Sequence, residues 1–288
     1  MKQNQKQLGI LMIILSAFCF AGMNVFVKLA GDLPVMQKSF FRNLVALFVA
    51  FYVLKKQRIA FHVPKESRTL LFFRAFFGTV GLLCNYYAVD HLVLTDASMI
   101  QKLTPFFTVL LSLVILKEKP ARFQYIAMGI AMVGMLFIVK PSFANPQLLG
   151  YTIALLGSFC ASTAYTLVRK LSFTPIKGPA IVFYFSLFSC LAMIPSMIVD
   201  FHPMSIQQII YLLMAGVMAS GGQFSVTSAY SYAPAKEISI FDYSQVLFVG
   251  LFGLVLYGEI PDTYSFIGYV IIFVTAYLMY MYGKRKIC

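Results

Sequence analysis

The sequence predicts an all-α integral membrane protein, with ten transmembrane helices arranged as two inverted five-helix repeats. Three observations predict this fold class. The 288 residues are 60% hydrophobic and only 11% charged. The apolar residues fall into ten runs of roughly the length that crosses a bilayer. One short helix ending also occurs twice in the chain.

The composition excludes a soluble protein. Soluble domains carry about 25% charged residues, which cover the water-facing surface, whereas this chain has 11% and a mean hydropathy of +0.82. The formal net charge of +13 does not indicate nucleic acid, because the basic residues lie between the apolar runs. In that position they set the orientation of a membrane protein. The lipid bilayer is therefore the expected surrounding of the chain.

The five cysteines and three histidines do not indicate a metal site. Four cysteines lie inside apolar runs, and Cys288 is the last residue. The sequence contains no CxxC and no Cys/His spacing of the zinc-binding kind. We therefore expect neither a bound metal, nor a cofactor, nor a disulfide framework.

The apolar runs predict the individual spans. A helix needs about 20 apolar residues to cross the hydrocarbon core, and charged residues or prolines separate runs of this kind. The predicted spans are residues 8–28, 34–54, 69–89, 95–116, 123–139, 147–168, 178–199, 207–230, 236–257 and 264–282. The first span is longer than the apolar segment of a signal peptide, so we expect it to be retained.

The distribution of Lys and Arg predicts the orientation. If the N-terminus is cytoplasmic, 17 of the 23 basic residues fall in inner segments, 3 in outer segments and 3 inside spans. Basic residues are enriched on the cytoplasmic side of membrane proteins. We therefore expect a multi-pass protein of the cell membrane with both termini in the cytoplasm.

The repeated ending indicates an internal duplication. Residues 114–120 read VILKEKP and residues 255–261 read VLYGEIP, and their glutamates are 141 positions apart. This ending closes the fourth span and again the ninth, so the repeats are residues 1–141 and 147–288 with five helices each. Because five is odd, the second repeat enters the membrane from the opposite side, as in transporters built from inverted repeats.

Polar side chains deep in the spans indicate a binding site near the middle of the membrane. Such groups are costly in lipid, so they usually face a cavity or a partner. The 141-residue offset carries Asn24 onto Tyr165. It also carries Gln101 onto Asp242, so the polar positions follow the repeat. The candidate substrate-binding residues are Asn24, Arg42, Asn85, Gln101, Lys102, Tyr165, Gln223, Asp242, Tyr243 and Gln245.

Structural roles are the alternative for the charged members of this set. Arg42 and Lys102 could pair with Asp96 or extend toward the surface. Asp242 could hold the fourth and ninth spans together by a fixed hydrogen bond, or it could bind and release a proton during transport. Arg74 lies near the inner end of the predicted third span, so we expect its side chain to extend to the membrane surface.

Several of these residues together resemble a known family. Asn24 and Lys28 close the first span, Arg42 begins the second, and LTPFFTVLLSLVILKEKP and YSQVLFVGLFGLVLYGEIP end the fourth and ninth. This constellation resembles the EamA-like branch of the drug/metabolite transporter superfamily. The resemblance implies a pore between the repeats and a homodimer through the fifth and tenth helices. One departure is Gln245–Val246, where the family often has an acidic residue followed by proline.

These features favour a transporter over other membrane proteins. Inverted repeats suit alternating access, and Arg42, Lys102 and Asp242 suit a small polar metabolite such as an amino acid, a related zwitterion or a cofactor-like compound. An exporter of toxic, aromatic or quaternary-amine compounds is the alternative, since 16% of the residues are aromatic. A channel fits an inverted duplication less well. No hydrolase or nucleotide-binding motif occurs, so we do not expect an enzyme.

Overall fold

The structure is a computed structural model that describes residues 2–92, 100–139, 148–257 and 262–285. In these ranges the chain forms helices and no strand, which confirms the all-α prediction. The helices are α1 (Lys2–Leu29), α2 (Val35–Lys56), α3 (Lys65–His91), α4 (Thr104–Ile115), α5 (Arg122–Val139), α6 (Leu148–Leu171), α7 (Gly178–Val199), α8 (Ile206–Tyr232), α9 (Ala235–Ile238), α10 (Ser244–Tyr257) and α11 (Thr263–Arg285). Asp96 and the second copy of the repeated Glu–Pro ending lie outside the described residues.

The helices have the length and the surface of membrane spans. Five helices and the helical segment Ala235–Leu256, which includes α9 and most of α10, are long and apolar enough to cross a bilayer, and three shorter apolar helices accompany them in the described part of the chain. Large apolar side chains such as Phe48, Ile198 and Phe273 are exposed on the outside of the bundle. So large an apolar surface is suited to lipid rather than to water. The chain is therefore a multi-pass membrane protein.

Prolines and a capping box set several helix boundaries. Pro34, Pro64 and Pro234 stand directly before α2, α3 and α9, where a missing N–H breaks no helical hydrogen bond. At the start of α8, the Gln208 N–H donates to the Ser205 side chain, and the Ser205 N–H donates to the Gln208 side chain. This reciprocal pair satisfies two backbone donors that the helix leaves open.

The α3–α6 contact depends on two glycines. A Cβ atom at Gly81 would lie 2.9 Å from the Ala161 nitrogen, and one at Gly157 would lie 2.9 Å from the Cys84 Cβ. Both distances are too short for a real Cβ, so only glycine permits these backbones to approach so closely. The two helices are therefore in direct backbone contact near their middles.

The α1–α8 contact is built in a similar way. The Ser16 hydroxyl donates a hydrogen bond of 3.0 Å to the Gly222 carbonyl, and both residues are buried. A Cβ atom at Gly222 would lie 2.7 Å from the Phe20 ring. The missing side chain thus makes room for an aromatic ring and a cross-helix hydrogen bond.

The predicted fourth and ninth spans are both interrupted. In the fourth, a turn at residues 102–103 precedes α4, whose first turn holds Pro105. In the ninth, a 3₁₀ segment over Ser239–Tyr243 separates α9 from α10. Both spans thus change their helical winding part-way, while Leu103, Ile238 and Ser244 at these places keep right-handed helical backbone angles.

Ion pairs join helix ends on the side of the bundle that carries Glu118. Arg169, in the last turn of α6, lies 3.2 Å from the Glu118 carboxylate beyond the end of α4. Its guanidinium also donates to the Ser231 carbonyl at the end of α8, at 3.1 Å. Lys6 of α1 pairs with Glu237 of α9 at 3.1 Å. These contacts hold five helix termini together.

The α5 and α11 helices pack on each other at one side of the bundle. The rings of Phe123 and Tyr282 stack with centroids 4.5 Å apart. A Cβ atom at Gly134 would lie 2.8 Å from the Ile271 side chain, so this contact is also close. Most of the outward residues of the pair are apolar, as lipid or another protein surface requires.

Candidate functional site

The two helix breaks are next to a group of buried polar residues. Lys102, in the turn before α4, is 7% exposed, and its ammonium donates a 2.5 Å hydrogen bond to the Gln245 side chain of α10. Asp242, in the 3₁₀ segment, is close enough to Lys102 for an electrostatic interaction. The fourth and ninth spans are thus connected by a hydrogen bond between Lys102 and Gln245.

Three tyrosines lie within electrostatic range of the Asp242 carboxylate. Tyr165, Tyr230 and Tyr243 all interact with it electrostatically. The rings of Tyr165 and Tyr230 stack with centroids 5.3 Å apart, and the Tyr230 hydroxyl lies 3.3 Å from the Ser239 hydroxyl. The buried Tyr243 hydroxyl has no hydrogen-bond partner among the described residues. The carboxylate therefore has a mostly aromatic surrounding, which suits a ligand with a cationic and an apolar part.

Arg74 of α3 is a member of this group, although the sequence predicted that it would extend to the surface. It is 2% exposed, and its guanidinium donates to the Gln223 side chain of α8 at 3.2 Å. The guanidinium carbon lies 4.1 Å from the centre of the Phe185 ring of α7, a cation–π distance. The surface prediction for Arg74 is wrong, because neighbouring helices cover it on all sides.

Arg42 of α2 is buried, and part of its guanidinium makes no hydrogen bond to a described residue. It is 4% exposed, and its Nε and Nη1 atoms have no partner in the described part of the protein. The same is true of the Ser39 hydroxyl and the Asn43 amide nitrogen, which lie on the same face of α2. Arg42 also interacts electrostatically with Tyr165. Buried donors without partners are rare in proteins, so this face of α2 is unusual among the helices.

The remaining predicted residues lie apart from these contacts. Asn24 and Gln101 are exposed, and Asn85 is half-buried at the close α3–α6 contact. The structure thus brings Lys102, Asp242 and Gln245 together, and it relates Arg42 to Tyr165 and Gln223 to Arg74. Sequence reasoning missed Arg74, Tyr230 and Phe185. For Tyr230 the available signal was a polar hydroxyl inside an apolar run.

Comparison with known proteins finds related proteins that align with nearly the whole chain. The profile of the EamA-like transporter family matches residues 7–140 and, a second time, residues 148–281. The pseudopaline exporter CntI of Pseudomonas aeruginosa (strain UCBPP-PA14) is 31% identical over 268 residues, which are 92% of this chain and 93% of that protein. Solute carrier family 35 member G1 of Homo sapiens is 26% identical over 280 residues, 90% of this chain and 74% of that protein. A solved crystal structure with 13% identity covers 96% of this chain and 98% of its own, with a TM-score of 0.84.

Proposed function

Because the chain belongs to the EamA-like transporter family of the drug/metabolite transporter superfamily, we propose that it is a secondary transporter that moves a small zwitterionic metabolite across the cell membrane. The chain is a membrane transporter and not an enzyme. Export is the proposed direction, because the Pseudomonas relative is named an exporter. That relative is named for pseudopaline, and the two chains are 31% identical over 268 residues.

The proposed mechanism is alternating access between two inverted repeats. The 141-residue offset exchanges α1 with α6, α2 with α7, α3 with α8, α4 with α10 and α5 with α11. If the repeats are equivalent, helix pairs that touch in one place should have counterparts that also touch. The α1–α8 contact corresponds to the α6–α3 contact, and both are present. The α4–α6 contact corresponds to the α10–α1 contact, and both are present as well. The family profile also matches twice, once in each proposed repeat. A rocking motion of one repeat against the other would then open the site to either side.

The proposed binding site is the polar group at the two helix breaks. The proposal is supported mainly by the two interruptions, one before α4 and one before α10. Lys102, Asp242 and Gln245 lie at these interruptions, and Lys102 interacts with both of the others. In transporters, interrupted helices near the midplane present helix ends and free backbone groups to substrates. Arg42 would bind a carboxylate of the substrate, and Asp242 with its tyrosines would bind an amine.

Counterflow in proteoliposomes tests the transporter proposal. Purified protein is reconstituted with an unlabelled amino-acid mixture inside, and uptake of each labelled compound is measured. A carrier shows saturable uptake that an inner substrate accelerates. An unsaturable conductance indicates a channel instead. Uptake restricted to quaternary amines or planar aromatic cations would favour the alternative exporter function, for which the aromatic surrounding of Asp242 is the supporting observation.

We also propose that Asp242 couples transport to protons. It is the one acidic residue in the interior of a predicted span, and it interacts electrostatically with Lys102 and with three tyrosines. Asp242→Asn should retain counterflow, which needs no net proton movement, and should lose the dependence of net transport on a pH gradient. The exposed Asp32→Asn variant is the control and should behave like the wild type. Normal transport by Asp242→Asn with an intact pH response would show that Asp242 is structural.

The proposed topology has both termini in the cytoplasm. Lys65, Lys119, Asp32 and Asp262 are all exposed, so cysteines at these sites can react with a membrane-impermeant thiol reagent. In a background without the native cysteines, Cys at positions 65 and 119 should react only in opened membranes. Cys at 32 and 262 should react in intact cells. Labelling of position 262 from the cytoplasmic side only would contradict the inverted arrangement.

Homodimerisation through α5 and α11 is also part of the proposal. The two helices lie together at one side of the bundle, and their outward side chains Ile126, Ile130 and Phe273 are exposed and apolar. Such a surface can join that of a second copy without exposing polar groups to lipid. The central polar group is separate from this surface, so each copy would transport independently.

A further inference from the structure

We infer that the transported molecule carries two separate acidic groups, and that Arg42 and Arg74 each bind one of them. The inference rests on the proposed function, because it requires that the central polar group is the substrate site. It adds a charge requirement to the substrate that an ordinary zwitterion does not meet.

Three cations are buried in the interior of the bundle. Arg42, Arg74 and Lys102 are 4%, 2% and 7% exposed. Nine of the ten acidic residues lie at or beyond the ends of the predicted spans, and Asp242 is the tenth. Among the described residues, the interior therefore has three positive side chains and one carboxylate, and Asp96 lies outside these residues.

Lys102 and Asp242 account for one pair of these charges, because they interact with each other. Neither arginine has a carboxylate within ion-pair distance among the described residues. A guanidinium remains protonated in proteins, so both arginines keep their charge in a region from which lipid excludes water. An uncompensated buried charge is strongly unfavourable. Two positive charges are therefore left for a ligand to neutralise.

The two arginines contact only neutral groups of the described residues, so their charges remain available to bind an acidic ligand. Arg74 has an amide oxygen and an aromatic face as partners, and its Nε atom has no hydrogen-bond partner in the described structure. Arg42 has two nitrogen atoms without partners, with the Ser39 hydroxyl and the Asn43 amide nitrogen also unpaired beside it. Both guanidiniums interact electrostatically with Tyr165. The proposal places one molecule beside this tyrosine, in contact with both arginines.

The stability of the ligand-free protein tests this inference without knowledge of the natural substrate. A buried cation whose partner is the ligand destabilises the ligand-free protein, whereas an arginine with a structural role stabilises it. Arg42→Met should therefore raise the midpoint of thermal unfolding in detergent. Arg122→Met is the matched control, because Arg122 is exposed at the start of α5, and it should leave the midpoint unchanged. A lower midpoint for Arg42→Met would overturn the inference.

Binding of small probes gives the second test. Glutamate and glutarate carry two acidic groups, alanine carries one, and glycerol phosphate carries its charge on one group. We expect glutamate or glutarate to stabilise the wild type at concentrations at which alanine and glycerol phosphate have no effect. Arg42→Gln and Arg74→Gln should each weaken that binding by roughly 10- to 150-fold, the effect of one lost charged hydrogen bond. Arg42→Lys, which keeps the charge, should lose less.

The outcomes separate this inference from the proposed function. Saturable counterflow of alanine that neither arginine substitution alters would overturn the two-acid requirement and leave secondary transport intact. Preference for glycerol phosphate over both dicarboxylates would also overturn it. A conductance without saturation for every probe would contradict the transporter mechanism itself.

Discussion

Gly81→Ala is expected to destabilise the protein by about 1–3 kcal/mol, the usual cost of overpacking a tight interior. The new methyl group would lie 2.9 Å from the Ala161 backbone nitrogen and 3.1 Å from the Gly157 carbonyl oxygen. Backbone atoms cannot rotate away as a side-chain end can, so α3 and α6 must separate. Thermal unfolding in detergent measures the effect, and counterflow should fall with it because both helices carry site residues.

Gly129→Ala is the matched control. An added Cβ at Gly129 meets no atom within 4 Å, and the residue is exposed in the middle of α5. Because alanine favours a helix over glycine by up to about 1 kcal/mol, this variant should be as stable as the wild type or slightly more so. Equal stability of the Gly81 and Gly129 variants would show that α3 and α6 can move apart at no cost.

Lys102→Met is expected to lower the free energy of unfolding by about 1–3 kcal/mol, the cost of leaving buried polar groups unsatisfied. The substitution preserves an apolar stem of similar length but removes the ammonium. Gln245 then loses its donor, and Asp242 loses the cation that balances it. The denaturation midpoint of the purified protein measures the change.

The double variant Lys102→Met, Asp242→Asn separates charge balance from packing. If the two charges stabilise each other, removing both should recover much of the stability lost by Lys102→Met alone, and the cycle yields their coupling energy. Additive losses in the double variant would mean that Lys102 and Asp242 act independently. In that case the turn at residues 102–103 is held by other contacts.

Hydropathy predicted the positions of the helices well. The spans predicted at residues 34–54 and 264–282 are helices Val35–Lys56 and Thr263–Arg285. This works because each helix must satisfy its own backbone hydrogen bonds in lipid, so a long apolar run has few other conformations. The break over Ser239–Tyr243 was not predicted, because this segment contains neither glycine nor proline. Its conformation depends on tertiary contacts that a single sequence does not reveal.

The candidate site was predicted in part, and the orientation of one side chain explains the main error. The third span was predicted to begin at residue 69, which places Arg74 about 8 Å inside it. The Arg74 side chain turns into the bundle, where it contacts Gln223 of α8 and Phe185 of α7. A single sequence does not reveal these partners from other helices. Lys102, Asp242 and Gln245 were predicted as site residues because their charge or polarity stands out in apolar segments.

Arg169 gives one end of the bundle a contact that an opening motion must break. Its contacts with Glu118 and the Ser231 carbonyl must separate if α4, α6 and α8 move apart there, and both side chains of the ion pair retain 13% exposure. A pair that contributes about 1 kcal/mol changes the ratio of closed to open populations by a factor of about 5. Salt screens charges mainly over distances beyond about 10 Å, and these charges are 3.2 Å apart. The ratio of the two populations, and with it the turnover rate, would therefore change little with the ionic strength on that side of the membrane.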